Sequence, residues 1–363
     1  MFKGAVFKGA GPIRAGLLSA LLAATVVVAG FVVAAPQASA SGGVYAPLDR
    51  PGPALSVPAA TLQAALHCSG DFTHGSLEPV LLSPATGVTP DQNYSWNYEP
   101  AFTAQHRPWC AVTMPDHTLG DIQTAGEYLV YAIRTMYSMG QRRIAVMGHS
   151  QGGMSMRWAL RFWPDTRTMV DDVIGMAGSN HGSVGKQSCM PGKTACMPAS
   201  WQQASTSQFL QALNSDAETF AGISYTEVFT HTDEIVKPST NATVASSALH
   251  TGAGAITNVA TQNICPMDVY EHLLVGTIDP VTYALVMDAL NHPGPADPAR
   301  ISPVVCWQLY QPGVNPLNVQ TYLQVLAALP GLMSVVGGQV NLVGASTTLT
   351  EPALKCYVSA AGC

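Results

Sequence analysis

Charge is what this sequence has least of. Only 10% of its 363 residues are Asp, Glu, Lys or Arg, and aromatics make up 7%. Basic side chains number 16 against 22 acidic ones, a net charge of −6. A chain this poor in Lys and Arg lacks the basic stripe that nucleic acid or an anionic membrane needs, so neither is expected as a partner. No internal repeat is visible. No CxxC pair and no His/Cys cluster occurs, so neither metal nor cofactor is expected. No Arg-Arg pair precedes the N-terminal apolar run, which favours the general secretory route over twin-arginine export.

That apolar run is itself informative. Lys3, Lys8 and Arg14 make a basic start, residues 17–35 are almost unbroken apolar, and Ala38-Ser39-Ala40 offers small residues for cleavage. The pattern predicts a secretory signal peptide over 1–40, cut after Ala40, with an uncleaved N-terminal membrane anchor as the alternative. Its removal leaves 13 basic against 22 acidic side chains, a net charge of −9. The eight cysteines, Cys68, Cys110, Cys189, Cys196, Cys265, Cys306, Cys356 and Cys363, all lie beyond it. An even count in an exported chain predicts four disulfides, whose connectivity sequence alone leaves open.

Residues 41–60, rich in Pro, Ala, Gly and Ser, read as an extended lead-in to a domain over 61–312. Apolar runs at 79–82, 107–114, 144–147, 173–176 and 223–230 read as strands. Ile122, Ala125, Leu129, Ile133 and Met136 recur at helical spacing over 121–139, and a second helix is expected over 151–162, closed by Pro164. Alternating strands and helices imply an α/β fold, a mostly parallel sheet covered on both faces, with its site beyond the carboxyl ends of the strands. Beyond 312 a helical cap is expected at 319–336, too short and broken by Pro330 and Gly331 to span a bilayer, followed by a tail.

The stretch RRIAVMGHSQGG at 142–153 places Gly148-His149-Ser150-Gln151-Gly152 between a strand and a helix. In that context G-x-S-x-G is a nucleophile elbow, and the glycines remove side chains that would collide where strand turns to helix. Without it the stretch is an ordinary Gly-rich turn. A serine hydroxyl needs a base to take its proton, and the base needs a carboxylate to orient it. In this fold the chain order is Ser, acid, His. Asp233 follows the 223–230 strand, with Glu234 as a competitor. Asp171, Asp172 and Asp216 read as surface groups in helix-like surroundings. His181 and His231 precede Asp233 and are demoted. Of the remaining bases, His272 leads His250 and His292 without excluding them. The oxyanion hole is expected from the backbone N–H of Gln151 and from Thr86 in the turn SPATG at 83–87, which could equally be a plain turn.

Five segments carry a resemblance: EPVLLSPATG at 78–87, SQGGMSMRWALRFWPDTR at 150–167, SWQQ at 200–203, TDEIVKP at 232–238 and CPMDVYEH at 265–272. In this order and spacing, the chain resembles the lipase B branch of the α/β-hydrolases. The resemblance implies an α/β-hydrolase fold, Ser150 as nucleophile, Asp233 as acid, His272 as base, and Thr86 and Gln151 as oxyanion hole. It implies disulfides Cys68–Cys110, Cys265–Cys306 and Cys356–Cys363, the last closing the 313–363 tail. The chain departs from the branch at Gly148-His149, where Thr-Trp is usual, at Ala85 in place of glycine, and at Glu271 in place of aspartate. An insertion follows Ser179-Asn180-His181-Gly182. Its Cys189 and Cys196 are expected to pair locally in a lid or insert loop over 183–204, with His181 as loop scaffolding.

The expected function is a secreted, monomeric serine ester hydrolase, a lipase or carboxylesterase, acting on lipid or other apolar esters at an oil–water interface, with no membrane span once the signal is cleaved. A polyester hydrolase or acyltransferase would use the same triad. A non-catalytic binding module on the same scaffold is the reading from another class.

Overall fold

The computed structural model describes residues 44–184, 189–317, 319 and 346–363, with the backbone of 333–336 and 339–342. The expected signal peptide lies outside the described residues. Seven strands form the main sheet: β1 (Leu66–Ser69), β2 (Val80–Ser83), β3 (Trp109–Val112), β4 (Ile144–His149), β5 (Val170–Met176), β6 (Ser224–Phe229) and β7 (Ala255–Ala260). Their order is β1-β3-β2-β4-β5-β6-β7. Only β1 runs antiparallel, against β3, and the other neighbours are parallel. The α-helices among the described residues are α1 (Ala59–Ala64), α2 (Pro90–Tyr94), α3 (Tyr98–Ala104), α4 (Ile122–Gly140), α5 (Gln151–Phe162), α6 (Pro198–Gln202), α7 (Gln208–Leu213), α8 (His272–Val275) and α9 (Pro280–Asn291).

The sheet is covered on both faces, so its central strands are buried nearly throughout and mostly apolar. All four β2 residues and all six β4 residues are buried. On one face Leu81, Val146 and Val173 pack with Leu129 and Ile133 of α4 and Trp158 of α5. On the other, Leu82, Met147 and Ile174 pack with Phe102 of α3 and Leu285 of α9. The Asp121 side chain accepts from Gln123 N to start α4, and Gln141 in a left-handed conformation (φ 47°) ends it. Helix α5 is buried all round. Residues 44–57 and the C-terminal tail cover its outer side: Trp163 Nε1 donates to Pro53 O (2.9 Å), Arg161 Nη2 to Ala46 O (2.7 Å) and Trp158 Nε1 to Tyr357 Oη (3.0 Å).

The same cover fastens the two ends of the folded body together. Ala46 N donates to Val358 O and Ala360 N to Val44 O, while Arg50 donates to the carbonyls of Ser359 and Ala360. The stretch His272–Asn291 is apolar enough to cross a membrane (hydropathy 1.5), yet 78% of its window is buried, as expected of a core helix.

Two sequence expectations need correction. The helix expected over 319–336 lies mostly outside the described residues, but its end, Met333–Val336, is a strand paired antiparallel with Gln339–Leu342. β-Branched Val335 and Val336 followed by a Gly-Gly pair are a hairpin signal that outweighs apolar helical spacing. Asp171 and Asp172 lie on β5, not in helix-like surroundings, and Asp172 is 6% exposed. Burial, reinforced by neighbouring Asp171, pushes the Asp172 carboxyl up to about 7. Asp216 sits in a turn at φ 65° and pairs with Arg161.

Four disulfides join Cys68 to Cys110, Cys189 to Cys196, Cys265 to Cys306 and Cys356 to Cys363. The insert around Cys189–Cys196 is pinned by the tail: Cys196 and Thr348 exchange both backbone hydrogen bonds, and Trp201 Nε1 donates to Thr348 O (3.1 Å). Residues 185–188 of this insert lie outside the described residues.

Candidate active site

The carboxyl ends of β2, β4, β6 and β7 point to one place. Ser150 follows β4 directly, at φ 54° and ψ −123°, and α5 begins one residue later. That strain is held by close backbone approach. A Cβ on Gly152 would lie 2.1 Å from Ser83 O, and one on Gly148 2.3 Å from the Gly152 carbonyl carbon. Both positions therefore exclude any other residue. Ser150 N donates to Met176 O (2.8 Å), locking the elbow to β5.

Ser150, His272 and Asp233 are brought together. His272 Nε2 lies 2.9 Å from Ser150 Oγ, and its Nδ1 lies 2.8 Å from Asp233 Oδ2. The other carboxylate oxygen, Asp233 Oδ1, accepts from Ile235 N (2.8 Å) and Val236 N (2.7 Å). Burial alone would raise the Asp233 pKa. The His272 imidazole and those two N–H donors outweigh it and hold the carboxylate below its ordinary value. The acid and base loops are also tied to each other, by Thr232 Oγ1 donating to Tyr270 O (2.8 Å). Glu234 does not reach the ring; its Oε2 accepts from His272 N (3.3 Å). Glu271 caps α8 by accepting from Leu273 N (2.7 Å).

The other candidate bases are engaged elsewhere. His181 pairs with Glu218 (2.7 Å) and contacts Ser246 O (3.1 Å), which bridges its loop to neighbouring segments. The His250 ring stacks on His181, and His292 contacts Asp288. The His231 ring lies against Phe229, with centroids 6.1 Å apart.

Thr86 and Gln151 face each other beside the serine. Gln151 opens α5, so its N–H has no acceptor within the helix. Its side chain does more than the sequence suggested: Oε1 accepts from Thr86 Oγ1 (2.9 Å) and Gln203 Nε2 (2.9 Å), and Nε2 donates to Thr118 O (2.9 Å). Gln203 also donates to Thr86 Oγ1 (3.0 Å) and accepts from Ser179 Oγ (3.2 Å). Sequence reasoning gave Gln203 no role, although it closes the SWQQ segment. Its side chain joins the 83–87 turn, the elbow and the insert in one buried amide cluster.

The acid loop exposes Ile235 and the base loop exposes Met267 and Val269, and the segment just past Cys306 exposes Trp307 and Leu309. At the opposite end of the sheet Glu78, Asp171 and Asp172 converge, with ligand-capable oxygens within 4.8 Å of one another. Arg143 is already paired with Asp171 (2.7 Å), so cationic side chains supply the counter-charge there.

Known proteins similar to this chain fall in one family. A family model described as Lipase (class 2) matches residues 128–273. Lipase B of Pseudozyma antarctica is 32% identical over 223 residues, covering 61% of this chain, which spans 64% of that protein's length. The crystal structure of Aspergillus fumigatus lipase B superposes with a TM-score of 0.74 at 30% identity, over 85% of this chain and 74% of that one. With the mostly parallel seven-stranded sheet and its four disulfides, the resemblance read from the five sequence segments holds, and the chain belongs to the lipase B family of α/β-hydrolases.

Proposed function

We propose that the protein is a serine ester hydrolase that cleaves apolar acyl esters through an acyl-enzyme. The observation that carries this reading is the continuous line from Ser150 Oγ through His272 to Asp233, at 2.9 and 2.8 Å. Ser150 attacks the ester carbonyl as His272 Nε2 takes its proton, and Asp233 stabilises the imidazolium that forms. The N–H groups of Thr86 and Gln151 hold the oxyanion. His272 then protonates the departing alcohol, and water repeats the sequence in reverse. No step calls on a metal or cofactor. The apolar side chains exposed on the acid and base loops favour an ester with a hydrophobic acyl group, presented from a lipid phase. The disulfides suit an oxidising, extracellular location, in keeping with the signal read at 1–40.

Ser150→Ala should lower kcat on a p-nitrophenyl ester by roughly 10⁴ or more while leaving the thermal midpoint nearly unchanged. A fluorophosphonate probe should label the wild type at Ser150. Near-normal turnover in the variant, or no labelling of Ser150, would sink the proposal and leave a scaffold that binds without turnover.

A further inference from the structure

We infer that His149 is a positioning residue: its imidazole is the middle link of a buried polar strut that ties the oxyanion turn to the backbone of His272. The inference rests on the proposed triad and adds a fourth side chain to its support. His149 ends β4 and is 1% exposed. Its Nε2 lies 2.9 Å from His272 O, and its Nδ1 lies 3.5 Å from Asn93 Nδ2. The Oδ1 of the same Asn93 accepts from Ala85 N (2.9 Å).

The polarity of this chain has one solution. A main-chain carbonyl can only accept, so Nε2 of His149 carries the hydrogen. Nδ1 is then the acceptor, and it faces the amide nitrogen of Asn93. That amide cannot be reversed, because the Ala85 N–H requires an oxygen opposite it. Donors and acceptors therefore alternate from Ala85 through Asn93 and His149 to His272. Burial, helped by neighbouring His272, pushes the His149 pKa down to about 3, so the neutral tautomer that the strut needs persists wherever the enzyme would work.

A second, parallel link joins the same segments. His149 N donates to Tyr94 Oη (3.0 Å), and Tyr94 Oη donates to Ser83 O (2.7 Å). Helix α2, which carries Asn93 and Tyr94, thus brackets the elbow and the oxyanion turn together. The ring is held on both sides. Its centroid lies 5.3 Å from that of His272, tilted by 35°. A Cβ on Gly276 would lie 2.2 Å from His149 Cδ2, so the ring rests against that glycine. Support from outside matters because His272 opens α8, a single turn that cannot hold itself. An imidazole displaced by about 1 Å loses on the order of 10²-fold in rate.

His149→Phe keeps a ring of similar size and deletes both side-chain hydrogen bonds. We expect kcat to fall by roughly ten- to a hundredfold, KM to stay nearly constant, and fluorophosphonate labelling of Ser150 to slow by the same factor. His149→Gln, which again offers a nitrogen donor, should restore most of the loss, a rescue that a ring serving only as filler would not give. A folded His149→Phe that turns over and labels at the wild-type rate overturns the inference, as does a glutamine variant no better than phenylalanine. If the phenylalanine variant does not fold, Asn93→Leu breaks the strut at its other joint and is read in the same way. Absence of labelling in the wild type would instead overturn the triad. Normal wild-type labelling with an indifferent His149→Phe overturns the strut alone.

Discussion

Glu227 is a carboxyl placed where a carboxylate is costly. It lies on β6, two residues before the strand's last residue, and is fully buried. A Cβ on Gly175 of β5 would lie 2.1 Å from its Oε2, so the carboxyl rests against the neighbouring backbone. Burial, only partly offset by the nearby Arg157 guanidinium and Asn180 side chain, raises its pKa from 4.5 to about 8. The folded state therefore keeps a proton that the unfolded chain releases above pH 4.5. Stability tied to this group is fully present below that pH and is lost as pH climbs toward 8. Each unit corresponds to ~1.36 kcal/mol, so the loss has a ceiling of about 5 kcal/mol above pH 8 and about 3 kcal/mol at pH 7. Glu227→Gln mimics the neutral carboxyl and does not titrate. Urea unfolding followed by tryptophan fluorescence should find the two proteins similar near pH 4.5, with the variant increasingly the more stable toward pH 8. Curves that run parallel across that range would refute the reasoning, as would a variant less stable throughout.

Besides the Ser150 and His149 variants, two further outcomes can be checked by thermal unfolding. The Cys265–Cys306 bridge closes a separation of 41 residues around His272, so Cys265→Ala/Cys306→Ala should cost ~4 kcal/mol, against ~2 kcal/mol for the separation of 7 at Cys189–Cys196; equal losses would argue against a loop-closure origin. Gly152→Ala should abolish the soluble fold or its activity, because the new methyl meets Ser83 O, whereas Gly192→Ala, with nothing within 4 Å, should cost only its backbone strain at φ 71°.

The parts that were legible in the sequence are those with short-range signatures. Strands β2, β4, β5 and β6 are apolar runs between turn formers, α4 has a clear buried stripe, and the elbow announces itself through Gly148 and Gly152. Helix α9 escaped notice because it is buried on nearly every side and shows little amphipathic pattern. Strand β1 is half exposed, and β7 is buried only at its end, so neither alternates cleanly. The choice of His272 over His250 and His292 needed the family resemblance, for a physical reason. What carries His272 to Ser150 is non-local: the Thr232–Tyr270 contact, the bridge to Cys306 and the His149 carbonyl contact span up to 123 residues. Spacing along the chain cannot encode such contacts. The amide cluster at Gln203 was missed likewise, since its partners come from four separate segments.

The fastening of Ala46 to Val358 and of Val44 to Ala360 has a consequence for engineering. The two ends of the folded body lie side by side, so a short flexible peptide could join residue 363 to residue 44 without crossing the molecule. New ends could then be opened in a surface bend such as the one at Gly294, where an added Cβ would meet nothing within 4 Å and φ is 88°. A circular permutant made in this way should keep the sheet and the disulfides.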